Sequence, residues 1–183
     1  RGADAPIVGI AAWRAVIVAA VFGVWALWAE GSAVVLNPDS TTRRLGLIYG
    51  LCLAVASATF VGGYAFTTVA NTIFFHNLAP IAAFPLAWWA FRERPSPSAI
   101  TGGVIAMFGV AMLSGVSLFH MGHFTNPRFI LGDMLSVVSA VGYAGVLVVT
   151  RATRREGTPI LGTLFFAWTV AAVVLVLVAL FTG

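Results

Sequence analysis

Six long apolar segments, separated by short polar or helix-breaking stretches, follow one another along the chain. They cover residues 7–29, 45–67, 71–91, 99–116, 129–150 and 160–181. A transmembrane helix needs about 20 mostly apolar residues, and each segment approaches or exceeds that length. The pattern therefore predicts an all-α, polytopic membrane helix bundle with about six transmembrane helices. The turn at Thr67 and Thr68 leaves two alternatives open, a helical hairpin or one long bent segment.

Arginine residues are concentrated on alternate connecting loops. The loops at 30–44, 92–98 and 151–159 lie on one side of a membrane that is crossed in alternating directions, and they hold seven of the ten arginines. The N-terminal stub, the turn near residue 68 and the loop 117–128 on the other side hold only Arg1 and Arg128. Because cytoplasmic loops carry an excess of basic residues, the first side is predicted to be cytoplasmic.

The composition agrees with a membrane protein. Apolar residues make up 60% of the 183 residues and charged residues only 9%, whereas soluble proteins average about 45–50% and about 25%. So few charges cannot supply the surface of a soluble globule, which excludes a soluble enzyme, a disordered chain and a nucleic-acid-binding protein. The net charge of +4 is explained by the arginines of the cytoplasmic loops. The expected surroundings are the lipid bilayer, with no nucleic-acid partner.

Residue types used in catalysis or metal binding do not cluster in the sequence. The single Cys52 excludes an intramolecular disulfide and a cysteine-based zinc site. His120 and His123 share a loop, but no third metal ligand accompanies them. The sequence contains no phosphate-binding glycine loop and no paired Ser, His and Asp, and no Asp or Glu lies near the centre of a span. We therefore expect no enzyme activity, no metal and no cofactor.

Small residues recur at about every fourth position in three of the spans. Residues four apart share one face of a helix, and small side chains on that face let two backbones approach closely. The pattern predicts helix–helix interfaces. The positions are Gly46, Gly50, Ala54, Ala58 and Gly62 in the second span, Gly102, Ala106 and Gly109 in the fourth, and Gly132, Ser136, Ala140 and Ala144 in the fifth.

The third span combines polar side chains with helix-breaking residues. It contains Asn71, His76, Asn77, Pro80 and Pro85. Each proline removes an amide donor and frees a backbone carbonyl four residues earlier. Irregular backbone at membrane depth is tolerated where it is buried or lines a wet cavity, so the span is a candidate substrate pathway. The alternative is that the polar side chains only bond a neighbouring helix.

One charged side chain interrupts the first span. Arg14 lies about a third of the way along it. An arginine in a membrane segment either faces the interior of the bundle or extends to the membrane surface. A role in attracting an anionic substrate group and a merely interfacial position both stay open.

The first and last spans begin with a similar tetrapeptide. Pro-Ile-Val-Gly at residues 6–9 and Pro-Ile-Leu-Gly at residues 159–162 are separated by five helices. Because five is odd, the second copy enters the membrane in the opposite direction. Such an inverted-topology repeat is typical of secondary transporters.

Several further stretches carry a resemblance to a known family. They are GYAFTTVA at 63–70, LAPI at 78–81, WWAFRERPS at 88–96, GGVIAMFGV at 102–110 and LGDMLS at 131–136, with Tyr143 and Arg151 after them. An aromatic-Ala turn, a mid-helix proline, an acidic residue that closes the helix and a Gly-rich helix follow in that order. The chain resembles the EamA-type transporters of the drug/metabolite transporter superfamily.

The resemblance implies a ten-helix fold made of two inverted five-helix halves. On this basis residues 1–116 form most of the first repeat without its first helix, 117–127 an extracytoplasmic linker, and 128–183 the first two helices of the second repeat. The chain is then expected to be a central fragment, and the missing helices of the parent chain are its partners. The resemblance also implies a multi-pass protein of the bacterial inner (plasma) membrane.

The resemblance further implies export of small metabolites, amino acids or drugs by alternating access, with an unknown small-molecule substrate. Structural positions of the family motif match Pro85, Glu93, Gly102 and Gly109, of which Glu93 closes a helix at the cytoplasmic face. The candidate pathway residues are Arg14, Tyr64, Asn71, His76, Asn77, Pro80 and Tyr143. The competing interpretation is a non-transport polytopic membrane protein, either a membrane enzyme or an assembly or structural subunit.

The sidedness of the loops can be tested by thiol labelling. Ser40→Cys, Ser96→Cys and Thr158→Cys, each in a Cys52→Ala background, should be protected from an impermeant thiol reagent in intact cells. Asn126→Cys on the opposite side should react. Labelling of the first three variants from outside, with Asn126→Cys protected, would invert the topology.

Overall fold

The computed structural model describes residues 7–92, 96–118 and 126–182, and these ranges contain helices and no strand. The all-α prediction is therefore confirmed for the described chain. The helices are α1 (Ile7–Ala29), α2 (Ser32–Leu36), α3 (Ser40–Phe66), α4 (Val69–His76), α5 (Ala79–Phe91), α6 (Pro97–Leu118), α7 (Pro127–Glu156) and α8 (Ile160–Thr182). The predicted roles of Glu93, His120 and His123, and most of the predicted linker at 117–127, lie outside the described residues.

The predicted spans correspond closely to the helices. By length and composition, five described segments can cross a membrane: Gly9–Ala29, Ser40–Phe66, Val69–Phe91, Pro127–Glu156 and Ile160–Phe181. The remaining predicted span, the fourth, corresponds to α6, whose stretch Pro97–Met112 is a shorter apolar segment. The predicted third span consists of two helices, α4 and α5, with a turn at Asn77 and Leu78 between them.

The loop after α1 is more ordered than the sequence predicts. It contains the short helix α2, and Asp39 precedes the first residue of α3. The Asp39 carboxylate accepts hydrogen bonds from the Thr41 and Thr42 amides at 3.1 and 3.3 Å and from the Thr42 hydroxyl. The carboxylate thereby accepts hydrogen bonds from first-turn amides that have no partner within the helix. The Thr42 hydroxyl also holds the pKa of the Asp39 carboxyl below its ordinary value.

The chain divides into two compact units by packing. Unit 1 contains residues 1–54 and 149–183, and unit 2 contains residues 55–148. The boundaries fall inside α3 and α7. The predicted division into family repeats at residues 116 and 128 is a separate question and stays a prediction.

In unit 1, α1 and α8 run antiparallel and are joined at one end by a carboxylate. Glu30, directly after α1, accepts hydrogen bonds from the amides of Leu161 at 3.0 Å and Gly162 at 2.8 Å. These amides belong to the first turn of α8, where the helix dipole also favours a negative charge. A Cβ atom at Gly162 would lie 2.3 Å from a methyl group of Val34, so the absence of a side chain permits this approach. The loops 30–44 and 151–159 therefore lie at the same end of unit 1, as alternating directions require.

The first half of α3 packs against α8 through glycines. A Cβ atom at Gly46 would lie 2.7 Å from the ring of Phe166, and one at Gly50 would lie 2.6 Å from the carbonyl oxygen of Ala167. Ala54 is also buried. The small positions of the second span thus lie where α3 approaches α8 most closely.

In unit 2, the second half of α3 runs antiparallel to α7. A Cβ atom at Gly132 would lie 2.6 Å from the amide nitrogen of Thr67, and one at Gly62 would lie 3.3 Å from Leu135. The remaining small positions of α7 are also buried: Ser136, Ala140 and Ala144. Ala58 on α3 is half-buried.

Helix α6 uses its glycines differently. Cβ atoms at Gly102 and Gly109 would meet nothing within 4 Å in the described part of the chain. Many large apolar side chains are also exposed on other helices, among them Trp13, Trp89 and Phe181. Such surfaces suit contact with lipid or with further helices.

The glycine interface can be tested with two matched substitutions. Gly132→Ala should lower the free energy of unfolding by about 1–3 kcal/mol, because its methyl group meets the backbone of Thr67. Gly109→Ala places the same group in open space and should be neutral or stabilising, since Ala favours a helix by about 1 kcal/mol over Gly. Denaturant titration in detergent would measure both. Equal stability of the two variants would contradict the close approach at Gly132.

Candidate functional site

The polar residues of the third predicted span lie in unit 2, on α4 and next to it. Helix α4 begins after Thr68, whose extended backbone places its hydroxyl to accept a hydrogen bond from the Asn71 amide at 3.2 Å. This N-cap explains why the chain turns at Thr67 and Thr68 and resumes as a helix at Val69. The turn forms a helical hairpin, which resolves the alternative that the sequence left open.

A carboxylate from α7 lies against the start of α4. The Thr67 hydroxyl donates to Asp133 Oδ1 at 2.8 Å, and the Asn71 side-chain amide donates to the same oxygen at 3.4 Å. Asn71 has no exposed surface and Thr67 is buried. We refer to Thr67, Asn71 and Asp133 as the Asp133 cluster. A carboxylate at this depth is expensive unless donors surround it, and the cluster supplies two of them.

His76, at the other end of α4, bonds the same helix. Its Nδ1 lies 2.9 Å from the Ser139 hydroxyl, which donates to the carbonyl oxygen of Ala56 at 2.8 Å. A serine hydroxyl has one proton, so Ser139 can only accept from His76. The network therefore assigns a proton to Nδ1 of His76.

Aromatic rings surround the imidazole. The ring centroid of His76 lies 4.5 Å from that of Phe60 and 5.2 Å from that of Tyr143. Phe60 also contacts Tyr64 edge-to-face at 4.8 Å. We refer to Phe60, Tyr64, His76, Ser139 and Tyr143 as the His76 cluster.

The two remaining candidates of the broken helix are exposed. The Asn77 side-chain amide donates to the carbonyl of Ile73 in its own helix at 2.8 Å. Pro80 is the second residue of α5, a position at which the missing amide has no intrahelical partner in any case. Pro80 thus helps to start α5, whereas Pro85 lies inside it and removes a hydrogen bond there.

The structure brings together only some of the predicted pathway residues. Tyr64, His76 and Tyr143 meet in the His76 cluster, and Asn71 belongs to the Asp133 cluster. Arg14 lies on α1 in unit 1, with an exposed side chain. Within the residues that the structure describes, no group of three or more His, Cys, Asp or Glu residues could hold a metal ion.

Sequence reasoning missed several contacts of these clusters. Asp133 lies at the end of its predicted span, where the sequence predicts no role for it, but it accepts hydrogen bonds from Thr67 and Asn71. Ser139 and Phe60 belong to none of the sequence motifs. A signal was available in the spacing of Thr67 and Asn71, since two polar residues four apart indicate a shared polar contact.

The His76–Ser139 bond can be measured with a double-mutant cycle. His76→Ala and Ser139→Ala, singly and together, should show a coupling energy of about 0.6 kcal/mol, the average for interhelical hydrogen bonds in membranes. The control cycle pairs Asn77→Ala with Ser139→Ala and should show no coupling, because Asn77 bonds its own helix. Unfolding in detergent gives both values. A coupling energy of zero in the first cycle would contradict a hydrogen bond between His76 and Ser139.

One comparison with known proteins identifies a membrane transporter family. The EamA-like transporter family matches residues 2–115, which is more than half of the chain. The transcription regulatory protein OpdE of Pseudomonas aeruginosa is 26% identical over 173 residues, covering 78% of this chain and 42% of OpdE. The chain thus spans about two fifths of the length of this curated relative. No solved structure matches it.

The family match and the five segments able to cross a membrane both indicate an integral multi-pass membrane protein. The chain belongs to the EamA-like transporter family.

Proposed function

We propose that the chain is part of a secondary transporter that exports small metabolites, amino acids or drugs by alternating access. The observation that carries this proposal is the match to a transporter family over residues 2–115. The discontinuous third span supports it, because interrupted helices with polar groups at the break form substrate sites in many transporters.

The Asp133 cluster and the His76 cluster lie at different levels along α4. Asn71 and His76 are five residues apart, which corresponds to about 7.5 Å along a helix axis. Asn71 and Asp133 lie near the turn at Thr67, on the side predicted to be extracytoplasmic, and His76 lies deeper. A polar substrate group that passes along α4 would meet donors and acceptors at both levels. Tyr143 contributes a ring face beside His76, and Tyr64 contributes one beside Phe60 of the same cluster.

The strength of these contacts suits a reversible movement. Interhelical hydrogen bonds in membrane proteins contribute about 0.6 kcal/mol on average. The Ser139 bond of His76 and the Asp133 bonds of Thr67 and Asn71 can therefore be exchanged for bonds to a substrate at little cost. Close contacts between glycine and backbone, such as Gly132 against Thr67, need no polar partner and can slide.

Transport by the full-length protein in vesicles tests the proposal. The probes are a panel of radiolabelled amino acids and the fluorescent cation ethidium. His76→Ala and Asp133→Asn should lower transport of the accepted probe at least about tenfold, equivalent to about 1.4 kcal/mol, with little change in melting temperature. Asn77→Ala is the matched control on the exposed side of the same break, and it should transport at the wild-type rate.

Three results would contradict the proposal. If both variants transport normally, α4 does not line the pathway. If neither amino acids nor ethidium move faster than in empty vesicles, the alternative of a non-transport polytopic membrane protein is favoured. Parallel loss of stability and activity in His76→Ala and Asp133→Asn would show that the clusters only hold the helices together.

A further inference from the structure

A cavity of about 210 Å³ lies in unit 1. Three helices supply its walls, and two of them present residues spaced i, i+3 and i+4, so that one face of each helix lines the space. The lining residues are Tyr49 of α3, Thr150, Thr153 and Arg154 of α7, and Ile160, Thr163 and Leu164 of α8.

The buried threonines of the wall have no proton to offer a ligand. The Thr153 hydroxyl donates to the carbonyl of Val149 at 3.0 Å, and the Thr163 hydroxyl donates to that of Pro159 at 2.7 Å. Each hydroxyl carries one proton, which these bonds use. The two threonines therefore present mainly their methyl groups.

The nearby helix N-terminus is also occupied. The first-turn amides of Leu161 and Gly162 bond the Glu30 carboxylate. Among the residues that line the cavity, Arg154 is the one with a charged side chain, and its guanidinium makes no hydrogen bond or ion pair within the described part of the chain. Its five donors are suited to a phosphate or carboxylate.

Arg154 lies at the depth of the lipid headgroups. Helix α7 has 30 residues, or about 45 Å, and the hydrocarbon core is about 30 Å thick. The last turns of α7 therefore extend past the core on the side predicted to be cytoplasmic. Thr150 and Leu164 lie about one turn deeper than Arg154 and Ile160.

The local charge favours an anion. Arg151 and Arg155 flank Arg154, and Glu156 is the acidic residue of the same loop. With the Glu30 carboxylate on the first turn of α8, three arginines and two glutamates leave an excess of one positive charge. Each Lys or Arg near the cytoplasmic surface attracts anionic lipid by about 1 kcal/mol.

The size of the cavity excludes a complete drug-sized ligand. Such ligands occupy pockets of about 300–1,000 Å³, and this cavity offers about 210 Å³. A molecule that inserts only its polar head and the adjoining methylene groups fits better. The apolar side chains of Ile160 and Leu164 lead from the Arg154 end toward the bilayer.

We propose that this cavity binds one anionic phospholipid. Its phosphate pairs with Arg154, and the methylene groups nearest the headgroup lie against Ile160 and Leu164. The site is separate from the proposed transport pathway and does not depend on it.

Native mass spectrometry of the full chain in a nonionic detergent tests the site. The probes are phosphatidylglycerol, phosphatidylcholine of the same chain length and inorganic phosphate. The wild type should retain one phosphatidylglycerol in preference to phosphatidylcholine. Arg154→Gln should weaken phosphatidylglycerol binding about fivefold. Ile160→Trp, which keeps every charge but fills part of the cavity, should weaken it as well.

Arg43→Gln is the matched control on the same predicted side of the membrane. The Arg43 guanidinium already donates to the carbonyl of Pro38 at 2.8 Å and to Asn37 Oδ1 at 3.2 Å, so its loss should leave lipid binding unchanged. Equal losses for Arg43→Gln and Arg154→Gln would show that only the summed surface charge attracts lipid. Equal retention of the two lipids, or wild-type binding by Ile160→Trp, would also overturn the site. Full displacement of phosphatidylglycerol by inorganic phosphate would assign the cavity to free phosphate instead.

Discussion

The structure depends on one constraint, that every backbone amide and carbonyl at membrane depth must find a partner without water. Continuous helices satisfy it, and the two interruptions around α4 are closed locally. At the first, the Thr67 amide bonds the carbonyl of Gly63 at 2.9 Å and Thr68 caps the helix that follows. At the second, the amides of Ile81 and Ala82 both bond the carbonyl of Leu78 at 3.0 Å. Helix α4 is therefore a short rod with satisfied ends, which can change position without exposing its backbone.

The same constraint connects packing to chemistry. Because Gly132 has no side chain, the backbone of Thr67 approaches α7 closely, and this approach places the Thr67 hydroxyl 2.8 Å from the next residue, Asp133. A larger residue at position 132 would move the carboxylate away from its donor. One turn further, a Cβ atom at Gly63 would lie 2.5 Å from the Ser136 hydroxyl, so the register continues along both helices. The small-residue interface thus determines where the polar cluster forms.

Much of the fold could be predicted because single stretches of sequence determine it. Helix α1 has the predicted bounds, since Glu30 and Gly31 end a long, mostly apolar segment, and α8 begins at the predicted residue because Pro159 precedes it. The candidate site was predictable only in part. The sequence indicated His76 and Asn71, but their partners Ser139 and Asp133 lie more than 60 positions away. Which pairs meet depends on how α4 and α7 pack, and neither charge nor periodicity encodes that register. Asn77 differs from both, because its side chain bonds the carbonyl of Ile73 in its own helix and is exposed.

The similar tetrapeptides at residues 6–9 and 159–162 have different structural roles, and the role of the second copy is the clearer one. Pro159 stands where a helix starts, and Gly162 gives Val34 and the Glu30 carboxylate room to reach the first turn. At the first copy, Gly9 lies instead beside an apolar groove of about 480 Å³ that Trp13, Val176 and Leu180 also line. The antiparallel pair is thus held at one end by hydrogen bonds from the first turn of α8 to the Glu30 carboxylate, and it borders an apolar groove at the other. The glycine of the tetrapeptide therefore permits a close approach at the second copy and forms part of a groove wall at the first.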